Sequence, residues 1–136
     1  MPVSQAVLGY GTLLQRAGTT VLEILKISGP GMKADMKEVS NMLSPNTYKE
    51  FIAGLREGGD VTFEGNYIPK DSGNTQVTLR TDFENGTQSS WTIVLPGSLG
   101  TWTFTAMVAA LNPSYPLDDR IVVSGTLRIT GKPVLT

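Results

Sequence analysis

The chain has no cysteine and no histidine among its 136 residues. Without cysteine there is no disulfide framework and no thiolate chemistry, a composition that fits synthesis in a reducing cytoplasm. Without histidine, the Ser-His-Asp triad, Cys-His pairs and imidazole-bound metal sites are all excluded. Charge is also scarce. Charged residues make up 17% of the chain, against about a quarter in ordinary soluble domains. Lys and Arg number 11 and Asp and Glu 12, for a net charge of −1. The basic residues form no run, which argues against a DNA reader that works by neutralising phosphates. No apolar run approaches the ~20 residues of a membrane-spanning helix. The first basic residue is Arg16, so the start lacks the charged opening of a signal peptide. A chain this short of charge has little to hold its copies apart, although the same figure suits any β-protein rich in Thr, Ser and Gly.

The length suits one domain spanning residues 1–136, long enough to bury roughly two thirds of its unfolded surface. Residues 12–14 and 19–26 read as an opening hairpin around Ala17-Gly18. In the second run Val21, Glu23, Leu25 and Ile27 alternate with Leu22, Ile24 and Lys26, so both faces are largely apolar and a strand covered on both sides is expected. Ser28-Gly29-Pro30-Gly31 breaks it. Residues 32–43 mix charge with Met32, Met36, Met42 and Val39 and read as a strand or a poor helix. With Pro45 beyond, this stretch has little core-forming power, and a long projecting loop or arm over about residues 28–50 is expected. Such an arm is unusual in a compact domain unless it binds something, and methionine adapts to irregular surfaces. A disordered loop is the alternative.

Residues 60–68 form a clearer strand, with Val61, Phe63, Gly65 and Tyr67 on one face and Thr62, Glu64 and Asn66 on the other. A helix is expected over about residues 75–85, with Gln76, Leu79 and Phe83 as a narrow stripe, Asn74 or Ser72 as cap and Gly86 as terminator. Asn85-Gly86-Thr87 matches a glycosylation sequon but reads as a turn. Three strands follow. Residues 89–95 turn Trp91, Ile93 and Leu95 to one face. Residues 101–109 turn Trp102, Phe104, Ala106 and Val108 inward. Residues 120–130 set Ile121, Val123, Leu127 and Ile129 against polar alternates. Pro96-Gly97 and residues 112–116 punctuate them. About seven strands and one flanking α-helix make a mainly β fold, a two-sheet β-sandwich or small barrel.

Chemistry is sparse. Asp118-Asp119 is adjacent on the chain and, without further clustered oxygen ligands, reads as a turn rather than a Ca²⁺ site. Gly9-Tyr10-Gly11 and Gly29-Pro30-Gly31 lack the strand–turn–helix setting and the lysine of a phosphate loop. Trp91 and Trp102 would suit a sugar-binding platform or, on alternating strands, the core. Nothing supports catalysis, and no cofactor or metal is implied.

Several segments, in order, resemble the tail tube (major tail) proteins of long-tailed bacteriophages, the phage lambda tail tube family. They are Gly11-Thr12-Leu13-Leu14-Gln15-Arg16; the arm ending in Tyr48-Lys49-Glu50-Phe51-Ile52 before Gly54-Leu55 and Gly58-Gly59; the strand from Val61 to Tyr67 with the helix after it; Trp102-Thr103-Phe104; and Pro116-Leu117-Asp118-Asp119 leading to a strand and Gly131-Lys132-Pro133. Each is weak alone, and their succession covers nearly the whole chain.

The resemblance implies two packed sheets with a helix at the side, as in type VI secretion tubes. It implies a structural virion protein whose six copies form a ring, with rings stacked through long loops into a tube that passes genomic DNA. The expected partners are further copies, with tail initiator, tape-measure and terminator proteins. DNA would pass transiently and non-specifically, and no membrane insertion is expected. The location would be the phage tail, after synthesis in the bacterial cytoplasm. The immunoglobulin-like decoration of the lambda subunit is expected to be missing. Met32, Met36, Val39, Met42, Tyr48 and Phe51 are the candidates for inter-ring contacts. Thr62, Glu64, Thr101, Thr103, Thr105, Arg128 and Thr130 are the candidates for the lumen wall, or else plain solvent-facing alternates. The rivals are a monomeric carbohydrate-binding sandwich using Trp91 and Trp102, and a tail terminator or completion protein that forms a single ring.

Overall fold

A computed structural model describes residues 8–21, 23–70 and 75–136. Strand β1 (Leu13–Arg16) turns through Ala17 and Gly18, at φ 51° and 86°, into β2 (Thr19–Thr20). Two consecutive left-handed residues match the twist of a tight hairpin, and glycine takes the second without steric cost. The run expected as one strand then splits. Val21 N still donates to Leu14 O of β1 (3.0 Å), whereas Glu23 O already accepts from Asn66 N (3.1 Å). Beyond it β3 (Ile24–Ser28) pairs with β6 (Asp60–Asn66).

That crossing determines the architecture. The main sheet runs β2-β1-β7-β8-β9-β6-β3, so its two edge strands are neighbours in the chain. Here β7 is Ser89–Val94, β8 Thr101–Ser114 and β9 Val122–Leu135. Two residue steps span at most about 7 Å, so the sheet folds over until its edges meet at Val21. The edges are joined by chain rather than by a ladder, and no barrel closes. The expected sandwich takes this form, with two wings of one antiparallel sheet sharing a core. Leu14, Trp91, Ile93 and Phe104 come from one wing, and Val61, Phe63, Val123 and Leu127 from the other.

Strands β8 and β9 are fourteen residues each, about 45 Å long. Bulges in β8 near Phe104 and Ala109 bend it so that its halves serve different wings. The sequence suggested that β8 stops near Ala109, yet it continues through Pro113. Proline fits because β7 ends opposite Ala106, leaving that side of β8 without a neighbour whose hydrogen bond would be lost. Likewise β9 runs on through Gly131 and Pro133. Two apolar assignments are corrected. Leu25 is exposed, because a bulge in β3 between Ile24 and Lys26 lets Ile24 and Ile27 both pack inward. Ile121 is exposed, because it precedes the start of β9.

Helix α1 (Thr75–Asn85) packs across β8. Gln76 and Leu79 face inward as expected, but Phe83 is exposed and Asp82 is buried in its place. Gln76 Oε1 accepts from Ile68 N (2.9 Å) and its Nε2 donates to Asn66 O (3.0 Å), which fastens the helix to the end of β6. Asp82 accepts from Arg16 Nε at 2.5 Å and Nη2 at 3.0 Å, fastening it to β1. Gly86, at φ 65°, ends the helix, with Thr87 N donating to Asp82 O (3.1 Å) in a Schellman closure. The sequon is this helix terminus. The expected caps, Ser72 and Asn74, lie outside the described residues.

Candidate assembly surfaces

Between β3 and β6 the chain leaves the main sheet and returns. The excursion is a two-stranded antiparallel hairpin, β4 (Lys33–Glu38) with β5 (Phe51–Glu57), tipped by a turn at Pro45–Thr47. Strand β5 was not anticipated, because Phe-Ile-Ala-Gly-Leu-Arg-Glu shows no polar alternation. Its pattern has a physical reason. The pairs Met36↔Ala53 and Glu38↔Phe51 face one way and Lys37↔Ile52 the other. Both faces therefore carry apolar groups, and neither is covered. Met32, Met36, Val39, Met42, Tyr48 and Phe51 are all exposed, joined by Leu43, Ile52 and Leu55, which the sequence reading did not single out. Met42 and Leu43 at the tip are 102% and 90% accessible.

The tip is nevertheless organised. Asn41 N donates to Ser44 Oγ (2.9 Å), Glu50 N to Ser40 Oγ (2.7 Å), Leu43 N to Asn41 Oδ1 (2.7 Å) and Ser44 Oγ to Glu50 Oε2 (3.2 Å). A hydrogen-bonded tip carrying uncovered methionine, leucine and tyrosine departs from the disordered-loop alternative.

The root of the arm explains both glycine clusters. Gly31 N donates to Asp60 O (3.2 Å) and Ile129 N to Gly59 O (3.0 Å). The two chains pass so closely that a Cβ on Gly59, at φ 75°, would land on the Gly31 carbonyl. A Cβ on Gly58 would meet Ile129 Cγ2 at 2.5 Å. Arg128 spans this root. It donates to Asp60 Oδ1 and to Glu57 Oε2, each at 3.1 Å, joining β9 to β6 and to the arm. The bond to Asp60 and the charges of Asp60 and Glu57 hold the guanidinium above its ordinary pKa. Lys33 adds a weaker contact to Glu57 at 3.9 Å.

The outer face of the main sheet forms one polar layer. Register sets Thr62 beside Thr126, Glu64 beside Ser124, Thr105 beside Thr130, and Arg128 beside Met107. Thr103 and Thr105 continue across to Thr92 and Ser90 of β7. Thr62, Thr103, Thr105, Arg128 and Thr130 are exposed, and Glu64 and Thr101 half-buried. Opposite them, on the inner face, Trp91 is fully buried and Trp102 packs against the core, so these two tryptophans form no exposed platform for sugar. Among the described residues no cluster of three acidic side chains could hold a metal.

A family model for the lambda phage tail tube protein matches residues 10–136. The chain belongs to the lambda phage tail tube protein family. Membership makes it a structural subunit of a phage-type tail tube and a virion component. Solved structures agree in fold. The tail of an empty gene transfer agent particle, refined with C6 helical symmetry, superposes with TM-score 0.79 at 18% identity, covering 96% of this chain and 99% of that one. A chain from the sheath/tube terminator of an extracellular contractile injection system, PVC, gives 0.76 at 17%, covering 99% of each. The SPP1 tail tube gives 0.65 at 15%, covering 91% of this family member and 74% of that chain. No curated protein matches the sequence.

Proposed function

We propose that this subunit polymerises into stacked six-membered rings whose lumen conducts DNA, with the β4–β5 arm making contacts between rings. The arm carries this reading. An isolated two-stranded hairpin is marginal in water, and this one leaves apolar side chains uncovered on both faces. Burial of both faces against other copies would supply the missing cover. Met32, Met36, Val39, Met42, Tyr48 and Phe51 are the contact residues. The sixfold order follows the C6 symmetry of the gene transfer agent tail.

Thr62, Glu64, Thr103, Thr105 and Arg128 form the lumen wall in this reading. A conduit should wet DNA without retaining it. Hydroxyl groups suit that, and Arg128 already faces two carboxylates, so it offers phosphate little attraction. Residues 1–136 act as one tube domain, without catalysis. Initiator, tape-measure and terminator proteins are the remaining partners, and a contractile injection system terminator and an anti-feeding prophage cap share the fold.

Replacing residues 33–57 with a short Gly-Ser linker tests the arm. The linker is sterically simple because Gly31 and Asp60 are already hydrogen-bonded. The expected product unfolds cooperatively and sediments as subunits at every concentration. Tubes formed as readily as by the intact chain would refute the arm's role.

A further inference from the structure

A groove of about 720 Å³ lies where the arm root meets the far end of β9. Met32, Ile129 and Pro133 give it an apolar lining, and Arg56 and Lys132 add two cations with no ion-pair partner among the described residues. Its one carboxylate, Glu57, is already engaged by Arg128 and Lys33. The groove is therefore apolar with residual positive charge.

A loop with an exposed apolar tip and two carboxylates stands at the opposite end of the same strand. The loop between β8 and β9 presents Leu117, which is 100% accessible, followed by Asp118 and Asp119. Asp119 accepts from the adjacent Arg120 backbone N–H (2.7 Å), and Asp118 has no partner among the described residues. The loop is held out rather than loose. Tyr115 packs edge-on against Tyr67, ring centres 6.2 Å apart, and Pro116 fixes the next φ. Some nine residues of β9 separate loop from groove, roughly 30 Å.

Resting on the reading of this chain as a polymerising subunit, we propose that the Leu117-Asp118-Asp119 loop of one copy docks in the Met32/Ile129/Pro133 groove of the next. Leu117 fills the apolar floor while Asp118 and Asp119 meet Arg56 and Lys132. Two different surfaces at opposite ends of one subunit make a heterologous contact. Such a contact never closes on a pair and propagates from copy to copy. Charge matching fixes the orientation and discourages loop-to-loop and groove-to-groove pairing.

The absence of native cysteine gives a clean test. Under mild oxidation the double variant Leu117→Cys/Lys132→Cys should give a ladder of covalent multimers. Leu117→Cys alone should stop at dimers. Charge reversal supplies the second arm. Asp118→Lys/Asp119→Lys, and separately Arg56→Asp/Lys132→Asp, should each raise the concentration needed for polymerisation by about tenfold or more. The four substitutions together should recover much of it. Tubes in the microscope without a ladder, or reversals without effect, would overturn this contact and leave the tube reading standing. Intact protein that forms no tubes, together with a double-cysteine variant that gives no ladder, would bring down both.

Discussion

Arg16 and Asp82 are sixty-six positions apart, yet their side chains form the shortest ion pair among the described residues. Asp82 lies almost wholly within the protein, and Ser89 Oγ accepts a further bond from Arg16 Nη2 at 2.9 Å. A charge removed from water is tolerated only with a good partner. Asp82→Ala should therefore cost about 3 kcal/mol in urea unfolding, because it strands the guanidinium. The double replacement Arg16→Met/Asp82→Leu should cost less than Asp82→Ala alone, since an apolar pair leaves no unpaired charge. A larger loss in the double variant would contradict a simple pairing role. Gly59 fails differently. Its left-handed φ and contact with the Gly31 carbonyl forbid a side chain, so Gly59→Ala should lower stability by at least about 2 kcal/mol, read as a shifted denaturation midpoint. Neither residue is recognisable locally. The sequence sets Gly58-Gly59 just ahead of the strand from Val61 but holds no sign of the chain passing opposite, and Asp82 looks like any polar helix residue until Arg16 is folded beside it.

Among the elements, those with a regular period were legible. Val61, Phe63 and Gly65, and Phe104, Ala106 and Val108, alternate inward as their spacing implies. The helix kept its expected bounds because Gly86 stops it. Periodicity failed where tertiary pairing supplies what it cannot report. A bulge moved Leu25 outward, the end of β7 made room for Pro113 within β8, and β5 forms only by pairing with β4. The arm residues were identified by what they lack, a core to join, and that lack is visible in sequence. The lumen candidates were found as polar alternates, and their common face follows from strand parity. The hairpin gives a prediction of its own. With little packing beneath it, its β4–β5 amides should exchange with solvent far faster than those of β8 and β9 in the free subunit. They should become protected in assembled tubes. Equal exchange of arm and sheet in the free subunit would mean the arm is stabilised without partners.

As a whole molecule the subunit combines a folded-over sheet with surfaces that it cannot satisfy alone. The sheet nearly closes on itself through Val21 but retains unpaired edges, which in isolation invite pairing with other chains. The arm projects at one end, the Leu117 loop stands at the other, and a net charge of −1 offers weak opposition to association. Family membership and the polar outer face of the sheet fit one use of these features, a tube built by repetition of the subunit. The most direct test is electron microscopy of the purified protein across a range of concentrations and salt, with and without pre-formed tail-initiator complex. Hollow tubes with sixfold end views are the predicted result. Folded particles that remain single subunits in every condition, with initiator present, would contradict it.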